Sequence, residues 1–160
     1  MKTKLAIPDR QIIGDAYLKF QLAPRVPAVF AAAVVEEATV IPSGQVTAIP
    51  NMPACMLGLM NRRNRVLWIA DLVRLLGIEG PKQPGRQYST VIVKAGSSLG
   101  LMVYDIEGIV HLKRETMQPP PTQVNPLLGP YLKGCAAQDD QMLLVLDAEA
   151  VLQSSALQRS

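Results

Sequence analysis

A chain of 160 residues has the length of one ordinary domain and is long enough to bury a core of its own. Hydrophobic residues make up 49% of the chain and charged residues only 18%, which excludes a disordered protein; aromatic residues are scarce at 4%. The formal net charge of +3 is modest, and the single basic cluster, Arg62, Arg63 and Arg65, is too small to argue strongly for nucleic-acid binding.

The first segments of the chain predict a leader followed by a soluble β-rich domain. Residues 1–14 are expected to form a flexible leader, and their two lysines precede no apolar run, so we expect no secretory signal. The longest apolar stretch, Val26 to Val35, is interrupted by Pro27. A membrane crossing needs about 20 apolar residues, and the sequence therefore predicts no membrane insertion.

Several segments show alternating or short apolar runs that are typical of strands. The predicted strands are 17–22, 28–35, 66–69, 90–94, 99–104, 106–112 and 142–146. A two-turn helix is predicted over 70–77, with Asp71 as its N-cap and Gly77 at its end, and a second short helix from Asp147 to about Gln153. Residues 154–160 are expected to form a polar tail.

A constant spacing of 76 residues relates two parts of the chain. Gly58 and Gly134 have this spacing, and so do Asp71 and Asp147. The same offset aligns a polar turn, a buried strand and a pair of apolar residues that follows each aspartate. The sequence therefore predicts a duplicated β unit and two paired barrels that share a core.

Four motifs in a fixed order resemble the CheW family of chemotaxis coupling proteins. They are the strand at 17–22, the segment from Ile49-Pro50-Asn51-Met52-Pro53 through Gly58 and Asn61-Arg62-Arg63-Asn64 to Asp71-Leu72, the strand Leu99-Gly100-Leu101-Met102-Val103, and the segment from Lys133-Gly134 to Asp147. The resemblance covers about residues 16–152.

The resemblance implies a mostly β fold of two intertwined five-stranded SH3-like barrels, with short helices after Asp71 and Asp147, in a single domain over residues 15–153. It implies a non-catalytic adaptor without cofactor or metal. Its partners would be the regulatory domain of a CheA-type histidine kinase and the tip of a methyl-accepting receptor. It would act in the cytoplasm at membrane receptor clusters, in chemotaxis, phototaxis or pilus-based motility.

The chain also departs from the family pattern. Arg62 stands where an apolar residue is usual, Asn64 replaces the turn glycine, and Trp68 replaces a proline. Asparagine tolerates a positive φ better than most residues, so the turn can survive the loss of glycine. These differences indicate a divergent member with partners of its own.

The resemblance places a receptor-binding site on the hairpin, at Arg63, Asn61 and Asn64. A guanidinium offers a planar set of donors for carboxylates or backbone carbonyls. The competing interpretation is a solvated turn arginine or one that braces the two barrels. Arg62 and Arg65 are interpreted as solvated charges.

A kinase-binding site is implied at Val35, Glu36 and Glu37, which follow the Ala/Val run. Paired carboxylates can act as general acid and base, but no substrate-binding motif accompanies them. The favoured alternative is that they are edge charges that discourage strand aggregation.

Enzymatic and metal-binding sites find little support in the sequence. His111 is the only histidine, and its pattern predicts a solvated strand residue rather than a catalytic base or zinc ligand. Cys55 and Cys135 are far apart, which predicts two reduced, buried thiols. The methionines at 52, 56 and 60 are interpreted as core residues, with a shared partner surface as the alternative.

Other functions stay open. One is a small-barrel nucleic-acid-binding protein that uses the Arg62-Arg65 hairpin, although no neighbouring aromatic residues support it. Another is a hydrolase that depends on His111, and a third is a fragment of a CheA regulatory domain.

Overall fold

Eleven strands and two short helices form the part of the chain that the computed structural model describes, namely residues 14–78, 85–120 and 126–157. The leader expected at 1–14 lies outside this part except for Gly14. The strands are β1 (Asp15–Ala23), β2 (Val26–Ala31), β3 (Val35–Pro42), β4 (Met56–Arg62), β5 (Arg65–Asp71), β6 (Gln87–Ala95), β7 (Ser97–Val103), β8 (Asp105–Leu112), β9 (Met117–Gln118), β10 (Leu132–Gln138) and β11 (Gln141–Leu146). The helices are α1 (Leu72–Leu75) and α2 (Ala148–Leu152).

The predicted strands are confirmed, with one change. The Ala/Val run is not one strand, because a three-residue 3-10 turn at Ala32–Val34 separates β2 from β3. Helix α1 is shorter than predicted, because Ala70 and Asp71 continue β5 and pair with β7. Residues 154–157 pack against the domain, with the side chains of Ala156 and Leu157 on its central core.

The strands form two sheets, and the strand order of each sheet shows that the two units are intertwined. One sheet has the order β8-β1-β2-β11-β10-β9 and the other β3-β6-β7-β5-β4. The first two strands of the chain thus join the sheet that is completed by its last strands. The predicted mostly β class with two intertwined units is confirmed. One sheet has six strands because the two-residue β9 extends it, and within the described residues neither sheet closes its backbone ladder on itself.

The duplication is visible in the two hairpins β4–β5 and β10–β11. Each has a bulge at a glycine, Gly58 with φ 148° and Gly134 with φ 158°. Each turns through two residues with positive φ, Arg63-Asn64 at 54° and 63° and Asp139-Asp140 at 48° and 65°. This conformation matches the strand twist and accommodates asparagine and aspartate better than most residues.

The aspartate that follows each hairpin has the same backbone contact in both copies. The amide of Asp71 donates to the carbonyl of Cys55 at 2.7 Å, and that of Asp147 to the carbonyl of Tyr131 at 2.8 Å. The side chains differ. Asp147 caps α2 by accepting from the amide of Glu149 at 3.0 Å. The Asp71 carboxylate forms no full cap hydrogen bond with α1. Burial raises its pKa, and the backbone amides of Arg74 and Val73 offset this only in part, so the predicted cap is weak.

A central core lies between the two sheets and receives side chains from both. Phe20 and Phe30 are stacked there with ring centroids 5.5 Å apart and are fully buried. Cys55 and Cys135 are buried as predicted, and burial raises the pKa of both thiols. No helix among the described residues is long and apolar enough to cross a membrane.

Candidate functional site

The two predicted binding sets meet where the two edge strands of the five-stranded sheet, β3 and β4, approach each other. Glu36 and Glu37 lie on the edge strand β3, and Arg62, Arg63 and Arg65 lie on the hairpin β4–β5, which contains the opposite edge strand. Their side chains contact across the gap between β3 and β4, which share no backbone ladder. We call these five residues the charged seam. The seam brings together residues about 25–29 positions apart in sequence.

Arg62 and Glu37 form the closest ion pair of the charged seam. The Nη2 and Nε atoms of Arg62 lie 2.5 and 3.2 Å from the two carboxylate oxygens of Glu37, and each side chain is only 25% exposed. This hydrogen bonding lowers the pKa of Glu37 and raises that of Arg62. The interpretation of Arg62 as a solvated charge is therefore wrong.

Arg63 contacts the same carboxylate only loosely. Its Nη2 lies 3.5 Å from Oε2 of Glu37, and its side chain is 77% exposed. Asn61 and Asn64, the other residues predicted to bind a receptor, are also exposed. Arg63 and Asn64 form the positive-φ turn, which projects the arginine from the tip of the hairpin. A guanidinium in this position can receive a carboxylate or carbonyl from another protein.

Glu36 is held by a different set of donors. The hydroxyl of Ser98 on β7 donates to its carboxylate, and Nη2 of Arg65 lies 3.5 Å away. The Ser98 hydrogen bond is the main reason that the pKa of Glu36 is lowered. Sequence reasoning missed Ser98, because nothing in a turn-flanking serine indicates that it faces a glutamate 62 positions away. Val35 is half-buried and packs on the central core.

The charged seam surrounds a small pocket. Its volume is about 70 Å³, and Leu67 and Ile92 contribute to its lining. Pockets that bind cofactors or substrates typically have about 300–1,000 Å³, so this one is a surface recess. His111 is exposed on β8, as its pattern predicted. In the described ranges no group of three or more His, Cys, Asp or Glu side chains could hold a metal ion.

The corresponding end of the six-stranded sheet has different chemistry. There the hairpin β10–β11 turns at Asp139-Asp140. Beside it, the side chains of Lys19, Glu107 and Gln141 form a network of polar contacts. Lys19 donates to Gln141 at 2.8 Å and lies 3.4 Å from Glu107. One hairpin tip is therefore basic and its duplicate acidic, so the two ends are suited to different partners.

Met52, Met56 and Met60 do not form a single partner surface. Met56 packs on the central core, whereas Met60 is buried in a separate apolar cluster of the five-stranded sheet. The bulge at Gly58 lies between them and shifts the register, which changes the face on which a residue lies.

The Arg62–Glu37 pair predicts acid-dependent stability. At pH 7 we expect Glu37→Gln to lower the free energy of unfolding by about 1 kcal/mol, the upper range for a partly exposed pair. Because the fold lowers the pKa of Glu37, its carboxylate stabilises above the pKa of an unfolded glutamate, and this stabilisation is lost as the pH falls through the lowered pKa.

Urea unfolding of both proteins at several pH values checks this. The difference should shrink below about pH 4.3, the ordinary glutamate value, and then disappear. Glu115→Gln is the control, since Glu115 has neither a side-chain hydrogen bond nor an ion pair among the described residues. A difference that persists unchanged in acid would contradict the assignment.

Comparisons with known proteins agree on one family. The family model described as the CheW-like domain matches residues 16–156. The "Probable chemotaxis protein CheW" of Rhizobium etli is 32% identical over 106 residues, which cover 66% of this chain and 68% of that protein. The "Chemotaxis protein CheW" of Treponema pallidum is 26% identical over 118 residues, covering 71% and 69%.

A solved structure also matches. The scaffolding protein TtCheW from Thermoanaerobacter tengcongensis superposes with a TM-score of 0.76 at 23% sequence identity, over 90% of this chain and 96% of that one. At this identity the match concerns the fold.

Proposed function

This chain belongs to the family of CheW-like domains, and from that premise we propose that it is a non-catalytic adaptor that couples chemoreceptors to a CheA-type histidine kinase in chemotaxis. The observation that carries the proposal is the family match over 16–156, which includes the whole charged seam. The seam surrounds a recess too small for a substrate, and its arginines Arg63 and Arg65 are exposed, which suits protein–protein contact. Phototaxis and pilus-based motility are alternative pathways in which the same coupling role would serve.

We propose that the receptor contacts the hairpin at Arg63, Asn61 and Asn64. Their exposure supports this, and so does the shape of the guanidinium, whose planar donors can bind a carboxylate or the carbonyls at the end of a receptor helix.

The kinase regulatory domain would contact the edge strand β3 at Glu36 and Glu37. Val35 would support this strand through its packing on the core. The two carboxylates restrict which neighbour can approach this strand. Because Arg63 lies 3.5 Å from Glu37, the two proposed contacts adjoin, and a receptor that engages Arg63 would alter the charge facing the kinase.

A binding assay with two immobilised partners tests the function. The wild-type chain should be retained by a receptor hairpin tip and by the kinase regulatory domain. Arg63→Asn should weaken receptor retention by about fivefold or less, as expected for one exposed charged contact, while kinase retention is kept. Arg63→Glu is less suitable, since it would place a third carboxylate beside Glu37 and disturb both contacts.

Asp139→Asn is the matched control, because Asp139 occupies the equivalent turn position with a similar positive φ. It should bind like the wild type. Equal receptor retention of Arg63→Asn would contradict the site, and a wild type retained by neither partner would contradict the function. Salt-sensitive retention on RNA without kinase binding would favour the nucleic-acid alternative.

A further inference from the structure

We propose that Arg62 is a positioning residue: by occupying Glu37 it keeps Arg63 exposed, and the hairpin thereby selects a partner segment that carries a carboxylate. This inference rests on the proposed function and specifies the chemistry of the receptor contact.

The first step is competition between two guanidinium groups for one carboxylate. Arg62 approaches both oxygens of Glu37, at 2.5 and 3.2 Å, whereas Arg63 reaches one oxygen at 3.5 Å. A two-point, charge-assisted contact is stronger than a single long one. The exposed fractions agree, since 25% of the Arg62 side chain and 77% of the Arg63 side chain are accessible.

The second step is the charge balance of the charged seam. Glu37 pairs with Arg62, and Glu36 lies near Arg65 and within the field of Lys94. Two carboxylates therefore face four cations, and the most exposed arginine of the charged seam, Arg63, has only its 3.5 Å contact with Glu37. An acidic side chain from a partner supplies the missing negative charge, and it would find Arg63 already directed outward.

The third step is what happens without Arg62. With leucine at this position, Glu37 would keep Arg63 as its nearest cation. Arg63 would then move toward Glu37, and a partner would have to break that contact before binding. Arg62 thus acts on the receptor through Glu37 and Arg63, not through a contact of its own.

A double-mutant cycle tests the mechanism. The dissociation constant and its salt dependence are measured for a receptor hairpin tip that contains acidic side chains, with wild type, Arg62→Leu, Glu37→Gln and the double variant. Arg62→Leu should bind about two- to fivefold more weakly, since exposed ion pairs contribute up to about 1 kcal/mol, which is about fivefold. The double variant should regain wild-type affinity, because the competing carboxylate is gone. A tip whose acidic side chains are changed to amides should not distinguish the four proteins.

The outcomes distinguish the positioning role of Arg62 from the proposed adaptor function. A double variant that stays as weak as Arg62→Leu would show that Arg62 contacts the receptor directly and would overturn the inference, as would an Arg62→Leu that binds like the wild type. A wild type that does not bind the tip would instead contradict the proposed function. Arg62→Lys, which keeps the charge but not the two-point geometry, should fall between wild type and Arg62→Leu. Thermal unfolding of each variant shows whether the fold is retained.

Discussion

Phe30→Ala is expected to lower the free energy of unfolding by about 4 kcal/mol, within the range for buried phenylalanines. Phe30 is fully buried and stacks on Phe20 in the core that receives side chains from both sheets. Its loss would leave a cavity between the two units, where neither sheet alone can fill the space. At a few degrees per kcal/mol for a domain of this size, the midpoint of thermal unfolding should fall by about 10 °C.

Urea or thermal unfolding followed by circular dichroism measures this. Val66→Ala is the control, because Val66 is 65% exposed on β5 and its truncation should change stability by less than about 0.5 kcal/mol. The wild type should unfold in one transition, since the core is shared. A loss below about 1 kcal/mol in Phe30→Ala, or two separate transitions in the wild type, would contradict a core common to both units.

Gly58→Ala and Gly134→Ala should each destabilise by about 3 kcal/mol, because overpacking and a strained φ each cost about 1–3 kcal/mol. A Cβ on Gly58 would lie 2.2 Å from the carbonyl oxygen of Thr47, and one on Gly134 would lie 2.6 Å from that of Gln118. Both obstacles are backbone atoms that pair with the hairpin strand, so relief requires a strand to move.

Two other glycines separate the effect of space from that of conformation. Gly96 has φ 84° and open space around it, so Gly96→Ala should cost only the strain of the left-handed region, about 1 kcal/mol. Gly44 has open space and no positive φ, and Gly44→Ala should be nearly neutral. If Gly58→Ala were no worse than Gly96→Ala, the close approach to Thr47 would be disproved.

Two physical causes explain why strands β3, β4 and β10 were not predicted from the sequence. Strands β4 and β10 contain the bulges at Gly58 and Gly134, and a bulge breaks the two-residue alternation by which strands are recognised. Strand β3 carries Glu36 and Glu37 in its first half and lies at a sheet edge. A charged edge strand lacks the apolar face that would make its pattern visible.

The residues of the charged seam could be identified from the sequence, but the contacts between them could not. Arg63 and Glu37 were both predicted, but as parts of two separate binding sites. The dominant role of Arg62 was missed, because an arginine at a hairpin tip is solvated unless another strand brings a carboxylate to it. Ser98 was missed for the same reason.

The duplication, the two hairpin turns and the helix that begins after Asp147 could be predicted from the amino-acid sequence, because turn and cap chemistry is local. It depends on which residues tolerate a positive φ or accept from nearby amides. In contrast, the long-range packing of the strands joins β1 and β2 to β11 and β10 in one sheet and brings β3 close enough to β4 for Glu37 to contact Arg62. These pairings depend on how each sheet twists and curls, which brings together strands that no local pattern relates.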